Sequence, residues 1–284
     1  MQARSEDYSE GGGMNTERTV IRCTQLSEMI VGCPAKVPHL LANRPRPQHW
    51  TAARGSALHA AMQDLMTERM NGTALAFASV RERFCFTWAD EREKVEDWSF
   101  DGGTVKPDEV EARTLEMLHT LYLATKDVQP LLVEQTWSWD IPGTDYTLQG
   151  TIDCISYHDH FGIVINDWKS AAKPWGRYKK AHQWQHMGYR LLFEHNAGKL
   201  VTLLNNFGIP SRFWWWSVDE MTGEVQRIEH VYAKDAVAHA EREAIGAIRQ
   251  LSQDYLPTKN DPDICKYCDF LPSGCLGIVE GDAA

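Results

Sequence analysis

What this 284-residue chain lacks narrows its class before any motif is read. No window approaches eighteen uninterrupted apolar residues, so no membrane span is expected. No Gly-x-x-x-x-Gly-Lys-Ser/Thr loop occurs, which excludes an ATP motor within the chain. His182 and His186 are four apart, but Gln183 stands where a zinc hydrolase of that spacing keeps its glutamate base. Solvated helix histidines are the plainer expectation. Internal repeats are absent, and Met1 to Asp7 carry no apolar signal region. Seven cysteines is an odd number, unsuited to a disulfide framework, and points to a reducing, cytoplasmic setting. Positive charge is also scarce: Lys and Arg number 29 against 39 Asp and Glu, a net charge of −10 that disfavours nucleic-acid binding by the chain as a whole.

The distribution of charge says something different. Acidic residues crowd between Asp90 and Glu116, the pattern of a solvated face. Basic residues gather at Lys173, Arg177, Lys179 and Lys180, with Trp168 and Trp175 interleaved. Basic side chains neutralise phosphates and aromatic rings stack on unpaired bases, so this run reads as a nucleic-acid track; a solvated helix start is the alternative.

Just before that track lie the residues with the clearest chemistry. Ile163-Val164-Ile165 is a buried-strand run ending in Asp167-Trp168-Lys169, and Asp167 and Lys169, two apart, share a sheet face. A second strand runs through Gly150-Thr151-Ile152-Asp153, and Tyr157 to Gly162 supplies a hairpin turn. Folding the hairpin brings Asp153 beside Asp167. Two carboxylates about 4 Å apart repel by roughly 4 kcal/mol at an effective dielectric near 20. Hard oxygen ligands suit Mg²⁺ or Mn²⁺, which removes that repulsion. Asp-x-Lys by itself is also the pattern of a surface salt pair. The additional residues are Glu134 in a strand-like run, His59 four residues after Gly55 on an expected helix, and Gln185 and Tyr189 four apart on one helical face.

In order, G-x-x-x-H, E, G-x-x-D, D-x-K and Q-x-x-x-Y over positions 55–189, this set resembles the RecB-like branch of the PD-(D/E)XK nucleases. The resemblance implies a restriction-endonuclease-like α/β core, with a mixed central sheet flanked by helices. It implies metal-assisted phosphodiester hydrolysis, in which Asp153, Asp167, the Trp168 carbonyl and His59 hold Mg²⁺ or Mn²⁺. Lys169 orients water and offsets transition-state charge, Glu134 binds metal or holds the lysine, and Gln185 and Tyr189 position the lysine or the strand. The implied activity is exonuclease cleavage of single-stranded DNA, with endonuclease action also open. A non-catalytic DNA-binding module and a zinc-stapled hydrolase are the alternatives.

A second cluster lies near the C-terminus: Cys265-Lys266-Tyr267-Cys268 and then Cys275, with Cys33-Pro34 far upstream as a fourth ligand. Thiolate tetrads hold either Zn²⁺ or a [4Fe–4S] cluster, and spacing leaves both open. The resemblance, to CRISPR-associated RecB-like and AddB-type nucleases, implies the iron–sulfur cluster. Here six residues rather than the family's five precede the last cysteine, and Ala35-Lys36-Val37-Pro38 follows Pro34 in place of a basic or aromatic run. Cys23, Cys85 and Cys154 read as buried thiols, Cys23 being the rival of Cys33.

Residues 1–20 are expected to be a disordered tail and 21–284 a single nuclease domain closed by Cys33 and 265–275. Periodicity predicts helices at about 55–70 and 107–125 and strands at about 131–140, 146–157 and 161–168. A helix at 178–197, strands at about 200–206, 211–218 and 224–233, and a last helix from about Asp235 to Tyr255 follow. Homo-oligomers and a DNA-processing partner protein both remain open.

Overall fold

The computed structural model describes residues 18–42, 47–100, 102–170, 179–200, 206–219 and 222–251, without the side chains of His39 and 179–183. Its centre is a mixed six-stranded sheet among the described residues. Strand β1 (Thr19–Arg22) leads into helices α1 (Cys23–Ile30), α2 (Val37–Leu41), α3 (Trp50–Met70) and α4 (Phe77–Arg92). A short hairpin, β2 (Ser99–Phe100) and β3 (Gly103–Thr104), precedes α5 (Pro107–Ala124). Then come β4 (Gln129–Asp140), β5 (Tyr146–His158), β6 (Gly162–Lys169), α6 (Lys179–Asn196), β7 (Arg212–Val218), β8 (Val225–Val231) and α7 (Ala236–Gln250).

The order β1-β5-β6-β7-β8, with β4 on the other edge of β5, is decided by burial. Along β7, Phe213 and Trp215 enter one core while Trp214, Trp216 and Val218 enter the other. Alternation therefore splits the Trp214-Trp215-Trp216 run between two layers, and all three rings are buried. One layer holds α1, α6 and α7; the opposite layer holds α3, α4 and α5. The result is helix–sheet–helix, the α/β arrangement expected of a restriction-endonuclease-like core.

Three differences from expectation have physical causes. Helix α4 was not legible because its buried residues, Val80, Phe84 and Trp88, supply one apolar contact per turn, among charges and an exposed Phe86. Thr19 and Val20 lie in β1, which pairs in parallel with β5, so ordered structure begins inside the segment expected to be a tail. The strand expected at 200–206 falls mostly outside the described residues; Leu200 closes a 3-10 turn, and Asn206 and Phe207 are helical.

Registers locate a gap in the sheet. On the edge of β5 away from β4, β1 pairs with Tyr146 to Gln149 and β6 pairs with Cys154 to His158. Residues 150–153 lie between, in a fork. Gly150 is required there: a Cβ on it would stand 2.8 Å from Cys23 Sγ and 2.9 Å from Leu192 Cδ1, so only glycine lets α1 and α6 press so close.

Candidate active site

The fork collects the polar residues. The β5–β6 ladder ends at Cys154–Asn166, and beyond it the Trp168 N–H donates to Asp153 Oδ2 at 2.8 Å rather than to backbone. A strand residue's N–H and C=O point to the same side, so the Trp168 carbonyl also faces the fork. Helix α3 carries His59 across, its Nδ1 3.4 Å from Asp153 Oδ2. From β4 comes Glu134, in register opposite Asp153. Ligand atoms of His59, Glu134 and Asp153 all lie within 4.8 Å of one another.

Glu134 reaches this position through an unusual backbone. Its φ is 49°, the only left-handed non-glycine among the described residues. Alternation slips there: Val133 packs into the α3 layer, while Trp137 and Trp139, of the same parity, pack into the α6 layer. β5 slips opposite it, with Ile152 in the α6 layer and Cys154 in the α3 layer. Left-handed φ in a residue with a Cβ costs on the order of 1–3 kcal/mol and is typical of functional positions.

Asp167 stands beside the trio rather than in it. Its carboxylate, 1 % exposed, is 2.6 Å from Lys169 Nζ. Lys169 also donates to Gln185 Oε1 at 3.4 Å, and Gln185 Nε2 donates to the Tyr189 hydroxyl at 2.7 Å. Both α6 residues are buried. The structure thus brings His59, Glu134, Asp153, Asp167, Trp168, Lys169, Gln185 and Tyr189 into one site.

Electrostatics follow from burying acids together. Burial, joined by Asp153 and Asp167, raises Glu134 to about 7 against partial relief from His59. Asp167 rises to about 6, driven by burial and the Asp153 charge despite Lys169. Burial opposes the charge of Asp153 as well, but His59, Lys169 and the Trp168 N–H outweigh it and hold that carboxyl below its ordinary range. Burial likewise opposes charge on His59, yet Asp153 and Asp167 lift it to about 9. Two crowded carboxyls that resist ionising, beside a third kept ionised, suit a divalent cation: the donor set is oxygen and imidazole, and the cation stabilises each charged carboxylate.

This sets a pH dependence. The folded chain holds protons on Glu134 and Asp167 that the unfolded chain releases near 4.5 and 3.8, so the stability these two groups contribute is full at low pH and falls as pH rises through about 6 to 7. The proton on His59 is lost in the same direction, through about 9. Metal must displace these protons. The rise in melting temperature on adding Mg²⁺ or Mn²⁺ is therefore expected to be larger at pH 8 than at pH 6. A pH-independent rise would contradict it.

Sequence reasoning missed Arg54. Its guanidinium is buried on α3 and donates to the Ser170 carbonyl, one residue past Lys169. Gly55 also faces this point, a Cβ on it falling in ordinary contact with Ser170 Oγ at 3.4 Å. Only the Gly-x-x-x-His spacing hinted at this contact. The expectation of solvated histidines fails at His186, which is 2 % exposed among Phe213, Trp215, Tyr232 and His230; burial drives its pKa to about 2.

Cys33 is buried, with no disulfide, and caps the 3-10 turn Pro34–Lys36. Cys265, Cys268 and Cys275 lie outside the described residues, as do Lys173, Trp175 and Arg177. Lys179 and Lys180 open α6, their side chains likewise outside. Cys23 is sealed between Gly150 and Gly188, its Sγ 2.8 and 2.9 Å from where their Cβ atoms would be.

A mixed sheet flanked by helices, with Asp153 in its central fork beside an Asp-x-Lys, defines a restriction-endonuclease-like protein. The chain belongs to the PD-(D/E)XK nuclease superfamily, whose model matches residues 33–273. No curated protein matches its sequence. Among solved structures, "Crystal structure of SSO0001" is similar over 94 % of this chain and 91 % of that one, at 14 % identity and a TM-score of 0.42. A protein named "Putative exonuclease" from Eubacterium rectale is similar over 95 % and 92 %, at 13 % identity and a TM-score of 0.47.

Proposed function

We propose that the chain is a metal-dependent deoxyribonuclease, acting as an exonuclease on single-stranded DNA. The observation that carries the chemistry is the 2.6 Å contact of Lys169 Nζ with Asp167 beside the His59–Glu134–Asp153 trio. His59, Glu134 and Asp153 would hold Mg²⁺ or Mn²⁺, with Asp167 and the Trp168 carbonyl adjoining. An ion held there would supply Lewis-acid polarisation of the scissile phosphate and lower the pKa of an attacking water. Asp167 keeps Lys169 charged and in place. Gln185, itself anchored by Tyr189, fixes the ammonium from the helix side. Lys169 then orients water and offsets charge on the phosphorane-like transition state. Lys173, Trp175, Arg177, Lys179 and Lys180, following directly in sequence, would carry the strand to this site.

End-labelled single- and double-stranded DNA with Mn²⁺ tests this reading. Stepwise shortening of the single strand is expected; cleavage confined to duplex interiors would overturn the exonuclease assignment.

We also propose that Cys33, Cys265, Cys268 and Cys275 hold a [4Fe–4S] cluster. The free, buried Cys33 thiol supports it, as does the enclosure of its rival Cys23. Protein purified without air is expected to be brown, with about four irons per chain, the content of one such cluster. Cys33→Ser should lose iron and thermal stability together, because a shared metal closes a very long loop. A colourless protein with one zinc would refute the cluster and leave the nuclease standing.

A further inference from the structure

Strand β8 is an edge of the sheet: among the described residues it pairs with β7 alone. The bonds at either end of this ladder show which way its backbone points. The Tyr232 N–H donates to the Ser211 carbonyl, and the Glu224 carbonyl accepts the Asp219 N–H. Register is unbroken between them, so Gln226, Ile228 and His230 turn their backbone groups toward β7. Val225, Arg227, Glu229 and Val231 turn theirs outward, a row of ladder donors and acceptors facing away from the sheet.

Beside that row the side chains of Arg227, Glu229 and Val231 are exposed, and Val231 keeps 56 % of its surface. An edge of this kind recruits another strand unless its side chains oppose the pairing. Charges usually do oppose it, and here their spacing decides the outcome. When two copies of β8 pair antiparallel about a two-fold axis, outward residues must meet outward residues. The axis can then fall at Arg227, Ile228 or Glu229 while most of the strand stays paired. An axis at Arg227 sets arginine against arginine, and one at Glu229 sets glutamate against glutamate; both are destabilising. An axis at Ile228 sets Arg227 against Glu229 of the partner subunit and Val225 against Val231 of the partner subunit. It also pairs the whole strand, and Ile228 meets its own copy, a favourable β-branched pair.

The contacts these side chains make within the chain fit the same register. Arg227 lies 4.3 Å from the centre of the Trp214 ring, and Glu229 pairs with Arg212 at 2.5 Å. Both charges are thus held on one face of the sheet. Arg227 of the partner subunit would extend the Arg212–Glu229 pair into a row of alternating sign.

We propose that β8 is a dimerisation edge, joining two copies of this chain antiparallel about Ile228 into one continuous sheet. The fork lies beyond β7 and β6, away from the joined edge, and the inference does not depend on the nuclease reading. A seven-residue strand spans only about 24 Å, so the dimer is expected to form with rising concentration rather than be permanent.

Sedimentation velocity of the full chain over a concentration series tests it. Wild type should double its mass as concentration rises, and added salt should move the transition to higher concentration. Arg227→Glu sets like charges opposite one another in this register and should stay monomeric; Glu229→Arg should do the same. Mixed together, the two variants place opposite charges at every such contact and should form a heterodimer. Val231→Pro is a second route that leaves the charges alone. The N–H it removes faces away from β7, so the variant keeps its own ladder but cannot complete the pairing. Circular dichroism is the folding control. A wild type that is monomeric throughout, or a dimer that persists in folded Arg227→Glu and Val231→Pro, overturns the proposal. So does failure of the two folded charge variants to associate on mixing.

Discussion

Lys169→Ala is expected to reduce DNA cleavage by 10²–10³ while the protein stays folded, the usual effect of removing one preorganised charge stabiliser. Lys169 is the only cation in contact with the buried Asp167 carboxylate among the described residues, and Gln185 holds it from α6. Among the described residues no other lysine or arginine contacts that carboxylate. Its own side chain is partly exposed, so its loss leaves no cavity in either core. The unpaired Asp167 carboxyl would then take up a proton more readily, since Lys169 is the strongest influence keeping it ionised. Steady-state cleavage of labelled DNA, with circular dichroism as the folding control, reads the effect. Activity above about a tenth of wild type is incompatible with the role on that scale.

Glu134→Gly should move stability and function in opposite directions. Glycine adopts φ near 49° without a Cβ penalty, and the substitution removes a carboxyl whose charge is opposed by burial and by Asp153 and Asp167. Relief of the backbone strain alone is on the order of 1 kcal/mol, partly offset by glycine's greater freedom in the unfolded chain. Without metal, above pH 7, the variant should melt higher than wild type. The same change removes one of three ligands, so the stabilisation by Mn²⁺ should collapse, and cleavage with it. Differential scanning calorimetry with and without Mn²⁺ separates the two. A variant that melts lower without metal would mean Glu134 is held by packing rather than for a cation.

Much of this arrangement is legible in the sequence because strand alternation and hairpin chemistry are local. The Tyr157–Gly162 turn sets the β5–β6 register, which places Asp153 near Asp167. The parity of Asp167 and Lys169 aims both at α6, where Gln185 and Tyr189 are one turn apart. Other features depend on long-range packing and leave no such trace. The left-handed φ of Glu134 comes from a slip shared by β4 and β5, and nothing about glutamate signals it. His186 looked solvated because its pairing with His182 lacks the glutamate of a zinc site; its burial depends on β7 and β8 closing over α6. Helix α1 is only eight residues long, and Cys23 and Ser27 dilute the apolar signal of Leu26 and Met29 on its buried face. Arg54 became visible only when α3 crossed the end of β6.

The central claim is that the fork between β1, β5 and β6 is a divalent-cation site. Anomalous scattering from crystals soaked in Mn²⁺ tests it most directly. The account predicts a peak in the fork bound by Asp153, Glu134 and His59 at about 2.0–2.4 Å, the range of hard-cation ligation. It also predicts that the peak is lost in Asp153→Asn. A fork that stays empty at saturating Mn²⁺, or a peak that persists unchanged in Asp153→Asn, would contradict it.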